Sequence, residues 1–139
     1  MDKGEKALER LDDGYNCAQC VLLAYSDQLG IDELTAFRVA EGLGAGMGDY
    51  QGVCGSLSGA ILAVGLMTDG RGMTGEITKG ETYQVAADLK NAFIEEVGSE
   101  LCHEIRETDE HPALMSCEDC VLVGIDLVGR LLENREKQG

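Results

Sequence analysis

Three features of the sequence predict an all-α fold. Only one proline stands among 139 residues, and runs of β-branched residues are few. Apolar residues recur at i, i+3, i+4 and i+7, the spacing of one helix face. Capping residues stand just before those segments. The expectation is a compact bundle of about six helices in a single domain, residues 1–139. At its centre it places a buried helix of small residues, about 52–68.

The chain justifies each element in turn. Residues 2–11 place Ala7, Leu8 and Leu11 on one side of a short helix, which Asp12-Asp13-Gly14 ends. Asn16 then stands three residues before Gln19, the arrangement of a capping box. A helix is predicted over 17–29, with Gly30 at its C′ position. On it Cys17, Cys20, Val21, Ala24 and Tyr25 share a face. Asp32 caps a third helix over 33–41, with Leu34, Phe37 and Ala40 as its apolar side.

Gly42, Gly44, Gly46 and Gly48 follow at every second position. Alternating glycines permit positive φ and close backbone approach and do not favour a helix. The segment GLGAGMG is out of register with a dinucleotide-binding fingerprint, and no strand precedes it. Nor is there a G-K-[ST] to make a phosphate-binding loop. The uncharged run VCGSLSGAILAVGLM comes next, with Cys54 at the junction. Cys54, Gly55, Ser58, Gly59 and Leu62 give it an almost smooth face that invites close packing, by another helix or across the two-fold of a homodimer. A membrane span needs roughly 20 apolar residues, and this run is shorter.

Residues 68–80 are glycine-rich and read as a mobile loop. Thr78 and Glu81 then form a capping box for a long helix to Val97, with Tyr83, Ala86, Ala87, Phe93, Ile94 and Val97 as its core face. Gly98 stops it. Ser99 caps a short helix carrying Leu101, Cys102 and Ile105, and residues 107–112 form a polar loop. Ser116 and Asp119 cap a last helix from Cys117 to about Glu133, where Cys117, Cys120, Val121, Ile125, Val128 and Leu132 share a face. The charged tail after Asn134 is expected to fray.

A net charge of −15 argues against nucleic acid and against anionic membrane surfaces. The opening MDKGEKALERL lacks the apolar core of a signal peptide, so a cytoplasmic location is expected. In a reducing compartment six cysteines suit redox chemistry or metal binding better than structural disulfides. Two helices begin alike, with CAQCVLLA at Cys17 and CEDCVLVG at Cys117. A thiol in the first turn of a helix meets unpaired N–H groups and the positive end of the helix dipole. That stabilises its thiolate and lowers its pKa from ~8.5.

Three uses of the cysteines fit this pattern. One is thiol redox work, with Cys17 or Cys117 attacking and a neighbour resolving. The second is an iron–sulfur cluster held by four of the six. The third is a Cys₄ zinc site in a metal-binding or interaction module. Cys20 and Cys120 are expected to be packing, to pair with each other, or to serve as auxiliary ligands. His103, next to Cys102, reads as an ordinary polar residue before a ligand or a base, and His111 as a loop residue. Asp49, Glu118 and Asp119 read as caps and solvated charge.

Asn16-Cys17-Ala18-Gln19, Gly44-Ala45-Gly46-Met47-Gly48 and Cys54-Gly55-Ser56-Leu57-Ser58-Gly59 occur in one order, followed by Gly98-Ser99-x-x-Cys102 and Cys117. Over roughly 15–132 this resembles the redox-active proteins named for a C…GCAxxG…C…C cysteine pattern. The resemblance implies that Cys17, Cys54, Cys102 and Cys117 are the functional set, as thiols or as metal ligands, and that an unidentified redox partner exists. Ser56 stands where the family commonly has alanine, a departure not expected to affect a thiol. The chain is also similar to the iron–sulfur domain of split-Soret cytochromes, which adds weight to a cluster. No C-x-x-C-H is present, so c-type haem attachment is not expected. The resulting expectation is a cytoplasmic thiol–disulfide or iron–sulfur oxidoreductase whose four sulfurs gather at one end of the Cys54 helix.

Overall fold

In the computed structural model, which describes residues 2–138, seven right-handed helices form the chain and no strand is present among those residues. They are α1 (Lys3–Asp12), α2 (Cys17–Ala24), α3 (Glu33–Ala40), α4 (Gly55–Leu66), α5 (Lys79–Val97), α6 (Cys102–Ile105) and α7 (Cys117–Gln138). Short 3₁₀ turns at Glu41–Leu43 and Arg71–Thr74 join some of them. The fold is the all-α bundle that the helix-face spacing predicts.

Side-chain caps start α2 and α3 where the sequence places them, and α1 starts at a cap on Asp2, a residue expected inside that helix. Asp2 accepts from the Glu5 N–H, and Asp32 from that of Thr35. At α2 both halves of the capping box form: Asn16 accepts from the Gln19 N–H at 2.8 Å, and Gln19 accepts from the Asn16 N–H at 2.9 Å. The same two side chains also reach outward. Asn16 Nδ2 donates to the Glu41 carbonyl and Gln19 Nε2 to that of Phe37. One capping box therefore sets the start of α2 and ties α3 and the glycine segment to it.

α2 is buried almost all round, with Val21 and Leu22 fully enclosed. Each such side chain contributes about 1.5–3 kcal/mol through burial. α4 lies against α2 on one side and α7 on another, and glycines make both contacts close. A Cβ on Gly59 would stand 2.7 Å from the Ala18 carbonyl oxygen, and one on Gly124 2.8 Å from that of Ser56. On the smooth face of the small-residue helix, Gly55 and Gly59 are thus closed by α2 within the chain. The Tyr25 hydroxyl donates to the Ile125 carbonyl at 2.7 Å, which locks α2 to α7.

Several elements differ from the sequence reading. α2 ends at Ala24, short of Leu29, because Ser26 and Asp27 offer the backbone other partners: Ser26 donates to the Leu23 carbonyl and Asp27 accepts from the Gln28 N–H. Lys3 takes the freed Ala24 carbonyl at 2.8 Å. Thr78 makes no side-chain cap at α5. That helix buries Leu89, Phe93 and Val97; Thr82, Val85 and Ala86 are half-buried in its first turns, and Tyr83 beside them is exposed. Leu34 is exposed too, since α3 meets the bundle through the smaller Ala36 and Ala40. The predicted loop at 68–80 contains a 3₁₀ turn bounded by Gly70 and Gly75, both at positive φ. α7 runs on to Gln138, well past Glu133, and Arg135 anchors the extension by donating to the Met67 carbonyl at 2.7 Å. No helix among the described residues is long and apolar enough to cross a membrane.

Candidate thiol site

All four cysteines of the motif stand at helix starts. Cys17, Cys102 and Cys117 are the first residues of α2, α6 and α7, and Cys54 is the N-cap of α4. The four starts converge on one cavity of about 300 Å³. Cys17, Cys54, Cys102, Cys117 and Cys120 line it, together with apolar Leu11, Ile105 and Met115. Cys20 does not reach it, for its side chain is fully enclosed in the core. The two C-x-x-C pairs are therefore not equivalent. At α7 both sulfurs face the cavity, and at α2 only Cys17 does.

Two local devices bring the sulfurs together. The first is a single antiparallel bridge between Val53 and Leu101. In it the Cys54 N–H donates to the Glu100 carbonyl at 2.8 Å and the Cys102 N–H to the Gly52 carbonyl at 3.0 Å. Two segments far apart in sequence are thus paired, with Cys54 opposite Glu100 and Cys102 opposite Gly52, and both cysteines reach the cavity. The second device is the glycine segment. Ala45, Gly46 and Met47 all have positive φ, at 52°, 56° and 65°, and form a turn of left-handed helix closed by the Gly48 N–H on the Gly44 carbonyl. Ala45 and Met47 carry the steric cost of that conformation, roughly 1–2 kcal/mol per residue. Gly46 also needs its missing Cβ, which would lie 2.5 Å from Cys102 Cβ. The turn thereby forms one wall of the cavity directly against Cys102.

The thiols fall into two pairs and a fifth. Cys117, exposed, lies beside half-buried Cys17. The Cys17 thiol hydrogen-bonds the Cys117 thiolate and brings its pKa down to about 6, against burial and the charge of Glu118 and with help from Arg106. The same contact and burial push the Cys17 thiol far up. Cys54 and Cys120, both buried, make the second pair. The Cys120 thiol hydrogen-bonds Cys54 and brings it down to about 7, and the Ser56 and Leu57 N–H groups at the start of α4 assist. Cys120 is held protonated by that contact and by burial. Cys102 stands apart; burial raises its pKa, the charges of Cys54 and Cys117 add to this, and Arg106 opposes it. Burial lifts Cys20 to about 11.

Three residues that the sequence reading did not single out for chemistry shape this site. Arg106, whose guanidinium carbon lies 4.0 Å from the Tyr50 ring centroid, brings a positive charge to the cavity wall. It is the one Lys or Arg between Lys90 and Arg130, a signal visible in the acidic sequence. Tyr50 stacks beneath it with φ at 64°. Ser56 is fully buried, its hydroxyl makes no regular hydrogen bond, and it faces the sulfurs of Cys17 and Cys54. Far from being silent, the departure from alanine at this position puts a hydroxyl between two thiols. His103 and His111 lie outside the cavity lining. His111 faces the Pro112 and His103 carbonyls, where it serves the loop.

The donor chemistry suits an iron–sulfur cluster: thiols from four separate elements, in a largely apolar cavity, are the ligands such clusters use. Among the described residues no three His, Cys, Asp or Glu side chains converge closely enough to hold a single metal ion.

No curated protein and no solved structure matches the chain. The model of one family does, over 15–131, and its pattern of cysteines and glycines is the one that builds the cavity. The chain belongs to the family described as "Putative redox-active protein (C_GCAxxG_C_C)".

Proposed function

We propose that this protein exchanges electrons through a dithiol at the mouth of the cavity, with Cys117 as the attacking thiolate and Cys17 as the resolving thiol. The observation that carries this reading is the Cys17–Cys117 contact: an exposed sulfur, ionised near neutral pH, beside a half-buried thiol that keeps its proton. Thiolate is the attacking species in disulfide exchange, and a thiol of pKa near ambient pH attacks best. Arg106 adds a positive charge that favours the thiolate. In this reading Cys117 opens a partner's disulfide to form a mixed disulfide. Cys17 then displaces the partner's sulfur, leaving a Cys17–Cys117 disulfide and a reduced partner.

A second reading has Cys17, Cys54, Cys102 and Cys117 hold an iron–sulfur cluster that passes single electrons. The convergence of four helix starts on one apolar cavity favours it. Purification without oxygen, followed by iron, zinc and acid-labile sulfide analysis and an absorbance spectrum, separates the two. The dithiol reading predicts metal-free protein with six titratable thiols and no visible absorption. Iron with sulfide and visible bands would overturn it in favour of the cluster. Stoichiometric zinc without thiol reactivity would make the chain a metal-binding module.

A further inference from the structure

We infer that Cys54 and Cys120 form a second, internal redox pair that takes the disulfide from Cys17 and Cys117, so that one chain stores four electrons. The inference rests on the dithiol reading above. What carries it is the placement of Cys120. That residue lies outside the cysteine pattern that the resemblance implies, yet its side chain lines the cavity and touches Cys54. The two pairs share one cavity and differ in access. Cys117 is exposed and Cys17 half-buried, whereas Cys54 and Cys120 are 7% and 2% exposed. A bulky disulfide can reach the first pair and not the second.

The path between them is short. Gly55, next to Cys54, packs on Cys17 so closely that a Cβ there would lie 3.3 Å from Cys17 Cβ. In the relay Cys54, on the same cavity, attacks the Cys17 sulfur of a Cys17–Cys117 disulfide. That attack breaks the Cys17–Cys117 bond, forms a Cys54–Cys17 bond and releases Cys117 as thiolate. Cys120 then loses its proton and displaces Cys17 from Cys54, and Cys17 takes up that proton. The products are a Cys54–Cys120 disulfide, the Cys17 thiol and the Cys117 thiolate, so two electrons and one proton have moved and the outer pair is reset. The oxidant throughout is an external disulfide, which is reduced to two thiols in each round.

The test is disulfide counting on the full-length, metal-free protein in oxidised glutathione. Remaining thiols are alkylated, and the disulfides are counted by intact mass and located by peptide mapping. The inference predicts a disulfide that forms at Cys17–Cys117 and passes to Cys54–Cys120, after which a second round of oxidation refills Cys17–Cys117, with Cys20 and Cys102 outside both. It also predicts that Cys17→Ala slows formation of the Cys54–Cys120 disulfide at least tenfold, because the inner pair is reached only through the outer one. Cys120→Ala should stop at one disulfide. A wild-type protein that halts at Cys17–Cys117 with Cys54 and Cys120 alkylated overturns the relay and leaves the dithiol reading standing. Equal rates of inner-pair oxidation with and without Cys17 also overturn the relay. Failure to form Cys17–Cys117 at all overturns the reading on which it rests.

Discussion

The chemistry of this protein begins with which sulfur keeps its proton. Cys17 and Cys117 are each first in a helix, and the helix dipole favours thiolate at both. Burial and contact decide between them: the proton stays on half-buried Cys17, and Cys117, exposed and near Arg106, carries the charge. Alkylation of Cys117 should therefore rise as pH climbs through about 6 and level off above it, while Cys17 stays unreactive. Rates of iodoacetamide labelling across pH, read by peptide mass spectrometry, check this. Cys17→Ala removes the hydrogen bond and should move the Cys117 midpoint up toward ~8.5. In stability terms the lowered pKa of Cys117 contributes above its unfolded value, and that contribution is lost as pH falls through about 6. Ser56→Ala, which restores the residue the family commonly carries, should raise the Cys54 midpoint above about 7, because a hydroxyl facing that sulfur is gone.

At the scale of elements, glycine sets how closely the cysteine-bearing segments approach. Gly59 sits where a methyl would strike the Ala18 backbone, which cannot yield as a side-chain tip could. Gly59→Ala should wedge α2 from α4 and cost about 1–3 kcal/mol, measured by urea unfolding. Gly65 is in the same helix with nothing within 4 Å of its added Cβ. Gly65→Ala should raise stability by about 0.5–1 kcal/mol, so the pair separates packing from propensity. The sequence made the small-residue helix, its close neighbour and the caps of α2 and α3 legible, since spacing and cap chemistry are local. It did not reveal the Val53–Leu101 bridge, two residues paired across the whole of α4 and α5 with no strand pattern on either side. Nor did it separate Cys120 from Cys20. Both follow a helix-first cysteine by three residues, and only packing shows that α2 is buried all round while α7 turns one face to the cavity. Leu34 and Tyr83 were misplaced for a related reason: helical period gives a face, and the neighbours determine whether it is covered.

For the whole molecule, a charge of −15 on 139 residues opposes compaction. The four ion pairs among the described residues all join exposed or partly exposed groups, so they offset little of it. Screening should help: raising sodium chloride from about 10 mM to about 0.5 M, across the range where the Debye length shrinks from ~30 Å, should shift the urea midpoint upward. The family match covers the same span as the cavity-building motifs, from the cap of α2 into α7. Fold and site are in this sense one object, a bundle whose helix starts point inward at one end. The most direct test of the account is the redox equilibrium of the metal-free protein with graded glutathione buffers, with the first disulfide located by peptide mapping. The account predicts that it joins Cys17 to Cys117 or, once passed inward, Cys54 to Cys120, with a potential in the range of dithiol redox proteins, about −270 to −120 mV. Six thiols that stay free across that range, or a first disulfide between any other two cysteines, would contradict it.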